Sequence, residues 1–124
     1  MEDNYDKYVE RLFTSGKNIV RNWVDDEKQT ISSWINLGTS LAEIIDKYKD
    51  ITGAEKKSIV IKVVTLIIED KDIVTGIDDD MRENICSIVK LTLPTTIDLI
   101  IKATQGGIKI NKKCNFLCFE CGKS

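Results

Sequence analysis

Three of the chain's four cysteines fall in its last eleven residues, as Cys114, Cys118 and Cys121 in Cys-Asn-Phe-Leu-Cys-Phe-Glu-Cys, directly after Lys112-Lys113. Thiols set among Phe116, Leu117 and Phe119 and flanked by lysines combine two signals that hold a soluble protein on an anionic bilayer. One acyl chain binds only marginally, and a second chain or a basic patch stabilises it. These surroundings make Cys114, Cys118 and Cys121 candidate palmitate acceptors, with Lys112 and Lys113 as the electrostatic partner, against the plainer reading of a tail that packs on a partner or folds back on the bundle. The alternative chemistry is zinc. Structural zinc takes four soft ligands, and Cys86 is the remaining thiol that could complete a set with Cys114, Cys118 and Cys121. The expectation is no cofactor, with zinc as the alternative.

Other apparent motifs fail on their surroundings. The Cys-x3-Cys-x2-Cys spacing also holds four-iron clusters in radical-SAM enzymes, but those wrap the cluster in a barrel that follows the motif, and here three residues follow. Cys121-Gly122-Lys123-Ser124 lacks the aliphatic pair that prenylation requires. Gly122-Lys123-Ser124 imitates the end of a phosphate loop, yet Leu117 stands where its earlier glycine belongs. Asp78-Asp79-Asp80 lacks the twelve-residue frame of a calcium loop and reads instead as a helix start.

Composition narrows the classes further. The chain has no histidine, which removes the usual general base and every imidazole ligand. A net charge of −2 gives no general attraction to nucleic acid. Lys109, Lys112, Lys113 and Lys123 against Glu120 make the C-terminal end locally +3, leaving −5 elsewhere. The acidic start Met1-Glu2-Asp3-Asn4 is not a signal peptide and offers no myristoylation site. The longest apolar stretches, near Val63–Ile68 and Ile97–Ile101, fall well short of the roughly 20 residues that span a bilayer. The expected location is the cytosolic side, where thiols stay reduced and serve as ligands, acceptors or buried apolar groups.

These residues must be carried by helices. Tyr5, Tyr8, Val9, Leu12, Phe13, Ile19, Val20, Trp23 and Val24 recur at three- and four-residue steps, and Ile31, Trp34, Ile35, Leu41, Ile44, Ile45 and Tyr48 continue the rhythm to about Asp50. A break is expected at Gly38-Thr39-Ser40, with Ser40 and Glu43 at capping-box spacing. Thr52 and Glu55 form a second such pair ahead of a helix from Lys56 to Asp70. Ser58–Ile68 is rich in β-branched residues, so strand competes there, but the cap and the length favour helix. Gly76 ends a loop, and Asp78-Asp79-Asp80 opens a helix through Met81, Ile85, Ile88, Val89 and Thr92. Pro94 then suits the first turn of a last helix, which Gly106-Gly107 stops. The sequence thus predicts an all-α bundle of about five helices over residues 1–105 and a short extended Cys/Lys-rich tail over 106–124. The aromatic-rich face of the first two helices, with Tyr5, Tyr8, Leu12, Trp23 and Trp34, is expected to be a surface for a protein partner or a second copy.

Gly53-Ala54-Glu55-Lys56-Lys57, Ile59–Asp70, Leu93-Pro94-Thr95-Thr96-Ile97-Asp98-Leu99-Ile100-Ile101 and Ile108-Lys109-Ile110-Asn111-Lys112-Lys113 together resemble small uncharacterised helical proteins of large nucleocytoplasmic DNA viruses. The resemblance covers about half the chain and implies a virion-associated or host-interacting accessory protein rather than an enzyme. It carries over no site residues. The resulting expectation is a non-catalytic structural or adaptor module, a minor virion component in its most concrete form. It would attach to a membrane or larger assembly through the Cys/Lys tail, contact protein and membrane, and not contact nucleic acid. A small zinc-binding regulator using Cys86 is the rival.

Overall fold

The computed structural model describes the backbone of residues 2–104 and the side chains of residues 5–103. Five helices run α1 (Glu2–Arg21), α2 (Asp25–Lys28), α3 (Ile31–Ile45), α4 (Gly53–Glu69) and α5 (Asp79–Thr104). Among the described residues there is no strand, so the all-α bundle is as the sequence predicts. The β-branched stretch of α4 is helical because its aliphatic positions are wanted on several sides at once. α4 packs against α1, α3 and α5. Ile59, Val60, Val63, Val64, Ile67 and Ile68 are fully buried between them.

The other helices close around this axis. Tyr8, Leu12, Gly16 and Val20 form a ridge at four-residue steps along α1, one side of a turning helix. A Cβ on Gly16 would lie 2.7 Å from Ile67 Cδ1, so glycine permits close contact with α4. α3 supplies Trp34, Leu37, Leu41 and Ile45, and α5 supplies Ile85, Val89, Leu93, Ile97 and Ile101.

Local signals explain the boundaries. Thr52 Oγ1 accepts the Glu55 N–H at 3.1 Å, while the Glu55 carboxylate accepts the Thr52 N–H at 2.8 Å. That is the expected capping box at α4. Asp78 Oδ1 accepts the Met81 N–H at 2.8 Å and opens α5, with Asp79 and Asp80 in its first turn. Gly76 holds φ +86°, a conformation that glycine adopts at little cost, in the loop before α5.

Three expectations change. The first two long helices, as expected, are separate, and they are joined by a corner over residues 22–30 that contains α2. There Trp34 Nε1 donates to the Lys28 carbonyl at 2.8 Å, and the rings of Trp23 and Trp34 meet edge-on at 4.8 Å. α3 then passes without a break through Gly38, Thr39 and Ser40, so Ser40 and Glu43 are interior and cap nothing. Gly38 is present for proximity, since a Cβ there would lie 2.4 Å from Leu93 Cδ1. α3 also stops earlier, at Ile45, where Asp46 turns inward to meet Lys56 Nζ at 3.2 Å.

The last difference is at Pro94, which lies inside a single 26-residue α5 instead of starting a new helix. An interior proline removes one backbone hydrogen bond and costs roughly 3 kcal/mol. Fully buried Leu93 and Ile97 bracket it and hold both halves against the same core. Thr92 Oγ1, bonded to the Ile88 carbonyl at 2.7 Å, adds a local tie just before it.

Candidate functional site

A cleft of about 520 Å³ opens where the end of α4 meets the first turns of α5. Its deepest members are Arg82 and Cys86, 8% and 7% exposed, with Glu69, Glu83 and Lys90 around the opening. Arg82 is on the floor because it ties the connection between the helices. Nη1 donates to the Ile68 carbonyl at 2.7 Å and Nη2 to the Val74 carbonyl at 3.0 Å. The first of these carbonyls belongs to the last turn of α4, where cations offset the helix dipole. Arg82 Nε is buried without a hydrogen-bond partner. At the rim Lys71 and Asp79 pair at 3.4 Å, so that aspartate serves a surface ion pair beside the cap.

Cys86 is a free thiol whose pKa is pushed up, first by burial and then by the Glu69 carboxylate, against smaller opposing effects of Lys90 and Arg82. A thiol held protonated is a poor nucleophile and must lose that proton before it can ligate a metal. Among the described residues, no group of three or more His, Cys, Asp or Glu side chains is placed to hold a metal ion. A zinc set using Cys86 would need Cys114, Cys118 and Cys121, which lie outside the described residues. So do the anchor residues Lys112 and Lys113.

The expected partner surface is largely taken up inside the bundle. Tyr8, Leu12 and Trp34 are core residues, and Tyr5 and Trp23 are half-buried against that core. The physical reason is the corner at α2, which folds the aromatic faces of α1 and α3 inward. Tyr8 shows the result. Its ring stacks at a tilt on Tyr48 with centroids 4.7 Å apart, and its hydroxyl donates to the Asp50 carboxylate at 2.8–2.9 Å. That hydrogen bond, helped by burial and the carboxylate's charge, raises the Tyr8 pKa.

The exposed apolar side chains are concentrated on α5, where sequence reading did not place a surface. Leu91 is 81% exposed, Leu99 54% and Ile88 41%. These residues look like any others in an apolar helix, and only the positions of α3 and α4 reveal which are left outside. α5 is also long and apolar enough, by length and composition, to cross a membrane, contrary to the expectation from apolar runs. Its buried positions from Ile85 to Ile101 account for much of that apolar content, because they pack against α3 and α4.

No family model, no curated protein and no solved structure matches this chain.

Proposed function

We propose that the chain is a non-catalytic attachment module, a helical bundle whose C-terminal Cys/Lys segment fixes it to a membrane surface or a larger assembly. The observation that carries this reading is where the thiols fall in the sequence. Cys114, Cys118 and Cys121 follow the last core helix amid Phe116, Leu117, Phe119 and lysines, whereas Cys86 is buried on the bundle with a raised pKa. Apolar thiols beside basic side chains supply the two signals that stable peripheral anchoring requires. The body behind them is a hydrophobic core running from Tyr8 to Ile101, suited to presenting an attachment point.

The test is fractionation and intact mass of the full chain from its native source. Acyl chains should appear as mass increments released by hydroxylamine. Replacing Cys114, Cys118 and Cys121 with Ser should release the protein from the membrane or particle fraction with little change in Tm. If chelator lowers Tm and Cys86→Ser does the same, the residues hold zinc instead, because the binding energy of a structural metal is folding energy. A triple Ser variant that fractionates and melts as the parent does would overturn the proposal.

A further inference from the structure

α5 carries an outward stripe that no other described helix covers. Ile88, Leu91, Thr95, Leu99 and Lys102 follow at three- and four-residue steps, which places them on one side of the helix over roughly 20 Å. Leu91 is the most exposed of them; exposed Asn84 continues the line one turn before Ile88, and Asp98 at its edge is held by Lys57 of α4 at 3.1 Å. The two ends of α5 differ in sign. Exposed Asp78, Asp79, Asp80 and Glu83 cluster at its start, and exposed Lys102 stands in its last turn.

We infer that this stripe is the contact surface for a second copy of the chain, with the two α5 helices packed antiparallel about a two-fold axis between Leu91 and Thr95. Charge decides the direction. A parallel pair would place the two acidic starts together and the two lysines together. The antiparallel pair turns each Lys102 toward the acidic start of the other copy, opposite exposed Asn84 and one turn from Asp80, and also sets the helix dipoles in opposition. Position then decides the packing. Ile88 of each copy faces Leu99 of the other, and the two Leu91 side chains flank the axis. The same patch meets itself, which closes the assembly at two subunits. One helix face is small beside the usual specific interface, so the dimer is weak and depends on concentration. It stands on α5 alone and is independent of what the C-terminal segment attaches to.

Sedimentation equilibrium of the full chain in reductant, from micromolar to millimolar concentration, tests this without interference from tail disulfides. The mass should rise from 14.0 kDa toward twice that value. Leu91→Glu should weaken association about tenfold or more, as expected for a substitution at the centre of an interface. The Leu91 position is exposed enough that Tm at low concentration should not change. Lys102→Glu should also weaken association, and most strongly at low salt. A wild-type chain that stays monomeric throughout would overturn the inference. So would a dimer that survives both Leu91→Glu and Leu99→Glu, or a stripe that binds anionic vesicles through Leu91 without ever pairing. Loss of pairing in Leu91→Glu with unchanged fractionation would support it and leave the tail's attachment intact.

Discussion

α4 and α5 are built from similar side chains and meet different fates. Both are rich in isoleucine, valine and leucine, yet α4 is surrounded by α1, α3 and α5, whereas α5 packs mainly on α3 and α4. α4 therefore buries residues around most of its circumference, including Lys56 at 2% exposure. α5 buries the line from Ile85 to Ile101 and turns Leu91 and Leu99 to solvent. Burial follows the number of neighbours as much as the apolarity of the helix.

The comparison is tested most severely at the ion pairs of α4. Lys56 Nζ meets Asp46 Oδ1 at 3.2 Å in the interior and also donates to the Asp46 carbonyl, whereas Lys57 meets Asp98 of α5 at 3.1 Å near the surface. Asp46→Ala strands a buried ammonium and should cost about 3–5 kcal/mol in denaturant unfolding. Asp98→Ala should cost under about 1 kcal/mol. Comparable losses at the two sites would show that α4 is not the more enclosed helix.

Next come the aliphatic positions. Ile68→Ala in α4 should destabilise by about 2–5 kcal/mol, while Leu91→Ala in α5 should stay within about 0.5 kcal/mol under monomeric conditions. A large loss at Leu91 without association would mean that the stripe belongs to the monomer's core. A smaller effect is expected where α3 touches α5. Gly38→Ala gains helix propensity but pushes a methyl group into fully buried Leu93, for a net loss of roughly 1–2 kcal/mol. Leu93→Val in the same background should recover part of it.

The smallest effect is alkaline. Folding raises the Tyr8 pKa above its ordinary 10.0, so the folded state holds that proton more tightly than the unfolded chain. Its contribution is complete below pH 10.0 and is lost as pH rises through the folded value. Cys86 behaves in the same way starting from 9.0. Stability should fall on the alkaline side of these values, and Tyr8→Phe should flatten the upper part of that fall.

Much of the fold was legible locally. The caps at Thr52–Glu55 and Asp78 depend on residues three apart, so the sequence contains the whole interaction, and three- and four-residue periodicity marked the stretch through Tyr5, Tyr8 and Leu12 as helix. The anchor and metal candidates at the C-terminal end were legible as chemistry alone, from thiols and lysines close together in sequence. Longer-range features were not legible in this way. Gly38 and Pro94 each read as a break, and each is carried through by a partner far along the chain: Gly38 by Leu93, and Pro94 by the core contacts of Leu93 and Ile97. The aromatic face containing Tyr8 and Trp34 read as a docking surface because periodicity states that a face is apolar without stating what covers it. The sequence by itself determined which residues line each helix face and where most helices begin. Only the tertiary structure decided which faces found neighbours, enclosing α4 and leaving the outer side of α5 open, because burial belongs to pairs of helices distant in sequence and no local pattern records their arrangement.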